Sequence, residues 1–203
     1  MHITILGAGN IGLAAGKKWK DKGHSITFGV RDPESQKAWD ARNIGAEVKP
    51  FQEAMQGAEV VLIAVPFGVT DEVIKNIQFD WDNVIIIDAT NPISASTEPF
   101  DSAAEAIAAW TGNGNVVKAF NTTGVGNMLN PIYNGTAIET FICGDDADAK
   151  KCVAGLAEDL GFRVMDMGGL QNAVLLENLA KMWVTAAYKL GKGPNFAFTV
   201  VQR

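Results

Sequence analysis

The stretch ITILGAGNIGLAAGKKW, residues 3–19, sets an apolar run against a glycine-spaced turn and then a helical pattern. Gly7, Gly9 and Gly12 follow that run in Gly-x-Gly-x-x-Gly spacing. In a chain with 21 glycines the spacing alone is a weak signal. Its place gives it weight, because it follows a predicted strand, opens a predicted helix and belongs to a unit that reaches a second apolar run at residues 25–30. Gly7 permits the tight turn, Gly9 lets backbone N–H groups approach a pyrophosphate, and Gly12 lets the helix pack close to the sheet. The helix N-terminus adds positive field at the same point.

Working outward, apolar runs rich in β-branched residues recur at residues 60–65, 83–88, 115–120, 140–143 and 162–167, with helical stretches between them. Continuous apolar strands alternating with helices predict a Rossmann-type, doubly wound α/β fold, its sheet mostly parallel and covered on both faces. Gly23 and Gly161 are placed to end helices. Asp145 or Asp146 is an N-cap for a helix whose buried face is Ala149, Cys152, Val153, Leu156 and Leu160. One dinucleotide-binding domain spans residues 1–203, with a core to about residue 168 and, from about 169, a long apolar helix and a short tail. In that tail Phe196, Phe198 and Val200 alternate as a strand would.

With 203 residues and 47% apolar composition the chain can bury a full core, and its net charge of −6 speaks against a nucleic-acid or polybasic membrane surface. No charged leader precedes the first strand, and the longest apolar run, residues 60–69, is too short to span a bilayer, so a cytoplasmic protein is expected. Cys143 and Cys152 lack metal-ligand spacing and read as core residues, and no metal site is expected.

The second strand ends FGVRDPESQK, so Val30 and Arg31 stand where an NAD-binding unit commonly carries an acidic residue for the ribose 2′-hydroxyl. An arginine fork suits a phosphate monoester, and the lost carboxylate removes repulsion. NADP(H) is the implied cofactor. Asp32, beside Arg31, keeps a carboxylate within reach of a hydroxyl.

Ligands of such sheets bind beyond the carboxyl ends of the strands. Those ends offer Ala8 to Ile11, then Val65, Pro66 and Phe67, then Asp88, Thr90, Asn91 and Pro92, then Phe120, Asn121, Thr122 and Thr123. Apolar and amide groups dominate. His2 and His24 precede strands and lie at the opposite edge, and Lys181 borders an apolar stripe as a snorkelling surface lysine does. Asp88 reads as the start of an Asx-type turn. No catalytic acid or base is therefore assigned. Hydride passing between two planar rings needs chiefly proximity and orientation, and such a pocket supplies both.

GAGNIG, FGVRDP, AVPF, VVKAFNT, CGDDADAKK and LGFRVMDMGGLQNA…LE together resemble the F420-dependent NADP oxidoreductases and the cytoplasmic reductase domain of the STEAP-type metalloreductases. The resemblance implies that Ala8, Gly9, Asn10 and Ile11 bind the pyrophosphate region and that Arg31, assisted by Lys37, contacts the 2′-phosphate. It further implies that Val65, Pro66 and Phe67 line the nicotinamide side, with Asn121 and Thr123 near the carboxamide. The acceptor implied is FMN, FAD or F420. Ala8 and Val30 stand where the F420 enzymes carry hydroxyl residues, and Phe67, Gly68 and Val69 replace their Trp-Glu-His series. Three readings stay open: an NADPH-dependent reductase of a flavin or deazaflavin, a small carbonyl or imine reductase, and a non-catalytic NADP(H)-binding sensor. A homodimer is expected from the apolar last helix and the Phe-rich tail.

Overall fold

A computed structural model describes residues 1–201 and 203. An eight-stranded sheet forms its centre, in the order β10-β9-β6-β5-β4-β1-β2-β3. The strands are β1 (His2–Leu6), β2 (Ser25–Val30), β3 (Glu47–Pro50), β4 (Val60–Ile63), β5 (Ile85–Asp88), β6 (Val116–Lys118), β9 (Glu139–Gly144) and β10 (Arg163–Asp166). A separate two-stranded hairpin, β7 (Ile132–Tyr133) with β8 (Thr136–Ala137), interrupts the count. Strands β1 to β6 pair in parallel, Ile3 with Val60 and Val60 with Ile85, whereas β9 runs antiparallel to β6 and carries β10 with it. The expected α/β architecture with a mostly parallel sheet and flanking helices is what forms.

The helices are α1 (Asn10–Asp21), α2 (Gln36–Asn43), α3 (Phe51–Ala54), α4 (Phe67–Lys75), α5 (Ala103–Thr111), α6 (Val125–Leu129), α7 (Ala147–Asp159) and α8 (Ala173–Val184). Their arrangement explains why the central strands are apolar at most positions. Ile3 and Ile5 of β1 and Val60 and Leu62 of β4 bury on one face, with Trp19 of α1 and Leu156 of α7. Leu6, Val61 and Ile63 bury on the other, with Val73 of α4, Ile107 of α5 and Leu176 of α8. Successive side chains point to opposite faces, so a strand covered twice has no polar side to show.

Local signals settle the helix ends. Asp146 accepts the Ala149 N–H at 2.7 Å and caps α7, while Asp145 accepts from Leu170 N at 2.8 Å and ties the start of the C-terminal helical segment to the end of β9. Gly23 and Gly161 follow α1 and α7 in the left-handed region, as expected. Trp19 donates from Nε1 to Leu156 O at 2.9 Å, joining α1 to α7 across one face.

Three local expectations are corrected. Residues 192–201 form no strand. The tail is held by side chains instead: Phe196 stacks on Trp183 with centroids 5.5 Å apart, its carbonyl accepts from Asn127 Nδ2 and Trp183 Nε1, and Glu139 accepts from Thr199 and Val200. Strand β3 lay unrecognised in EVKP, a polar edge strand with no buried residue. Cys152 is only partly buried, although Cys143 is a core residue whose thiol burial pushes up to about 12.

Candidate functional site

A cleft of about 640 Å³ runs along the carboxyl ends of β1, β2, β4 and β5. At its middle the chain turns from β1 into α1. Gly7 takes φ +108°, and a Cβ there would lie 2.9 Å from both Ala64 O and Val65 Cγ1. At Gly12 a Cβ would come within 2.5 Å of Gly7 O, so the first turn of α1 sits directly on the loop. Helix α1 has no side-chain cap at Gly9 and no acidic residue in its first turn. Its leading N–H groups therefore face the cleft as unclaimed donors beside the positive end of the helix dipole, which is the chemistry a pyrophosphate needs.

One end of the cleft is formed by Val30, Arg31, Asp32, Ser35 and Lys37, with Phe51 above. Arg31 and Lys37 are exposed cations. Asp32 is occupied by the turn it makes: its Oδ1 accepts from Glu34 N at 2.9 Å and its carbonyl accepts from the Ser35 hydroxyl at 2.7 Å. Ser35 in turn caps α2. This end offers a phosphate monoester two positive side chains and a second helix N-terminus.

The other end is formed by Ala64, Val65, Pro66, Phe67 and Val69 after β4 and by Ala89, Thr90 and Asn91 after β5. No charged side chain lines it, since Arg31, Asp32 and Lys37 are the charged residues among those lining the cleft. Asn91 and Asn121 clasp each other, Asn91 Nδ2 donating to Asn121 O at 2.8 Å and Asn121 Nδ2 to Asn91 Oδ1 at 3.0 Å. Phe120, just before, holds φ +61°, a left-handed conformation unusual for a bulky residue.

Gly7, Ala8, Gly9, Ile11, Val30, Arg31, Lys37, Val65, Pro66, Phe67 and Asn91 thus come together on one surface. Asn10 opens α1 at an exposed position, Gly12 packs behind the loop, Asn121 stands behind Asn91, and Thr123 accepts from Asn127 Nδ2 at 2.6 Å beneath the tail. Ser35, Phe51, Ala64, Val69, Val73 and Ala89 line the cleft without having been singled out. Phe51 was hidden because α3 is a single turn whose apolar residue follows an unrecognised strand.

None of the basic candidates lines the cleft. His2 Nε2 lies 3.0 Å from Thr27 Oγ1 and His24 Nε2 lies 3.0 Å from Asp159 Oδ2, while Lys181 is exposed on α8. Asp88 forms the expected turn and also does more. Its Oδ1 does accept from Thr90 N at 2.7 Å, forming the expected turn, but its Oδ2 lies 2.8 Å from Lys118 Nζ. Glu177 of α8 lies 2.8 Å from the same ammonium, and all three side chains are buried. Burial raises the Glu177 carboxyl's pKa, against the pull of the Lys118 ammonium. Sequence separations of 30 and 59 residues left this cluster without any local signal.

Residues 2–92 match the family described as NADP oxidoreductase, coenzyme F420-dependent. Over that N-terminal stretch the chain is similar to the members of that family. It is homologous to an F420-dependent NADP reductase of Methanothermobacter marburgensis, 27% identical over 212 residues that cover 93% of each chain. The crystal structure of a candidate F420-dependent NADP-reductase from Arthrobacter sp. FB24 superposes with a TM-score of 0.83 at 27% identity, covering 98% of this chain and 99% of the other. The rat metalloreductase STEAP3 is 28% identical over 177 residues, and there the chain spans about a third of the relative, 34% of its length. The family match ends just after Asn91, so it contains every residue lining the cleft. Among the described residues, no helix is long and apolar enough to cross a membrane.

Proposed function

We propose that this protein is an NADP-dependent oxidoreductase that binds NADPH along the cleft and passes its hydride to a flavin or deazaflavin. The observation that carries the reading is the division of charge within the cleft: both cations stand at one end and no acid or base lines the other. On this reading Arg31, Lys37 and the start of α2 hold the 2′-phosphate. The free N–H groups of α1 hold the pyrophosphate. Val65, Pro66, Thr90 and Asn91 then bound the nicotinamide. When bound, the cofactor supplies a hydride from its ring, and the protein's task is to orient that ring and keep water away from it.

The absence of an acid or base at the ring end favours an aromatic acceptor, because reduction of a carbonyl or imine needs a positioned proton donor. The names of the relatives agree with this choice, F420-dependent NADP reductase among them. Val30 and Ala8, both apolar, leave the 2′-phosphate to Arg31 and Lys37. Exposed Leu175, Met182 and Leu190 along and beyond α8 suit a second copy of the chain. The fitting size measurement is light scattering in solution.

The test is NADPH oxidation followed at its near-ultraviolet band with FMN, FAD, F420 and a ferric chelate offered in turn. Turnover with a flavin or F420 is the expected result. Tight NADPH binding with no turnover on any of them would favour the sensor reading, and a bell-shaped pH profile with a carbonyl substrate would favour the carbonyl reductase.

A further inference from the structure

Behind the ring end of the cleft lies a charged cluster that the proposed hydride transfer does not use. Lys118, at the end of β6, is fully buried. Its three protons have three acceptors: Asp88 Oδ2 and Glu177 Oε1, each at 2.8 Å, and Thr90 O at 2.6 Å. Glu177 Oε1 also accepts from Ala103 N at 2.9 Å, the first N–H of α5. Thr90 is gripped twice, since its N–H donates to Asp88 Oδ1 while its carbonyl accepts from Lys118. Thr90 itself lines the cleft, so one residue separates the cluster from the cleft.

The charge is uneven. Two carboxyl groups face one ammonium; with both ionised the cluster carries an excess of one negative charge, and the positive end of α5 offsets roughly half of it. Packing alone does not call for this. A glutamine at position 177 would present the same oxygen to Lys118 and Ala103 with no second carboxylate to strip of water. The surplus charge is thus an expense in stability that the hydrogen bonds do not explain.

Resting on the proposed NADPH site, we propose that the Asp88–Lys118–Glu177 cluster selects the oxidation state of the nicotinamide, its surplus negative charge favouring the oxidised ring. A dihydronicotinamide is neutral, and loss of a hydride, one proton with two electrons, to the acceptor leaves the ring with one positive charge. A fixed negative charge a short way behind the ring, in a poorly solvated wall, lowers the energy of that cation and of the transition state leading to it. Glu177 touches neither ring nor acceptor and acts as a positioning residue for charge.

The experiment compares wild type with Glu177→Gln by calorimetric titration of NADP+, NADPH and 2′,5′-ADP, the last carrying the phosphates without the nicotinamide. The substitution should weaken NADP+ roughly five- to tenfold relative to NADPH, the effect of one unit charge at about 10 Å in a medium between protein and water. Affinity for 2′,5′-ADP should stay as it is. An unchanged NADP+ to NADPH ratio, or equal weakening of all three ligands, would overturn the proposal and leave Glu177 a structural residue. Asp88→Asn removes a charge from the same cluster and should move the ratio in the same direction, and failure of both variants to fold would assign the second carboxylate to folding instead. Should wild type bind none of the three ligands, the proposed function itself falls, an outcome separate from any result on the variants.

Discussion

The two ends of the cleft are built on opposite plans. At the Arg31 end the charges are on the surface, carried by exposed side chains and by helix termini that any anion can reach. At the Pro66–Asn91 end the lining is uncharged, and the ionisable groups stand one layer back, buried, with two carboxylates on one ammonium. Exposed charges attract and discriminate a ligand at small cost in stability, while buried ones fix geometry and field at considerable cost. The contrast teaches that, under the proposed function, recognition and chemistry would occupy separate ends of one groove, with only recognition written on its surface.

The largest expected effect comes from breaking the buried end. Lys118→Met leaves Asp88 and Glu177 facing each other without a cation, and loss of about 3–5 kcal/mol of stability is expected, read from denaturant unfolding. A loss under 1 kcal/mol would mean that the ammonium carries little of the load. Next, Arg31→Ala at the exposed end should cost NADPH about 1.5–3 kcal/mol of binding and spare NADH, since one charge-assisted hydrogen bond to the 2′-phosphate goes. Equal losses for the two nucleotides would refute the phosphate assignment and blur the division between the ends.

A smaller change tests whether the exposed end depends on α2. Ser35→Ala removes the side chain that caps this helix and should lower stability by about 1 kcal/mol, with a modest loss of NADPH affinity. Unaltered melting would show the cap to be idle.

The smallest effect lies outside both ends, in the tail. Burial raises the pKa of Glu139, but hydrogen bonds from Thr199 and Val200 and the charge of Arg163 outweigh it and leave the carboxyl below its ordinary range. A depressed carboxylate stabilises the fold above its unfolded pKa, and that contribution is lost as pH falls through the folded value. The tail should therefore stay docked at neutral pH and loosen only in acid, seen as a change in Trp183 fluorescence as Phe196 leaves its ring. Release near neutrality would contradict the hydrogen bonding described for Glu139.

How much of this was legible follows from how local each signal is. The turn at Gly7, the close approach at Gly12 and the cation at Arg31 each rest on a few adjacent residues, and all three take the places their spacing implied. The apolar strands were equally plain, because cover on both faces leaves no polar positions to confuse the period. Strand β3 escaped because an edge strand with no buried residue carries neither alternation nor an apolar run. Phe196, Phe198 and Val200 do alternate, yet alternation makes a strand only where a free edge accepts its hydrogen bonds, and Trp183 and Asn127 claim the tail first. Lys118 in VVKAF looked like an interruption of a strand. Its meaning depends on Asp88 and Glu177, which only the folded chain brings to it.

The reversal of β9 has a bearing on the size of what can be bound. Had that strand run with its neighbours, a crossover would have carried the chain to the opposite rim of the sheet. Instead the segment between β6 and β9, with α6 and the β7–β8 hairpin, remains at the rim where β6 ends, and Asn127 fastens the tail against it. Under the proposed function that segment would be an end-stop past β6, leaving a bulky acceptor to approach over the loops that follow β4 and β5.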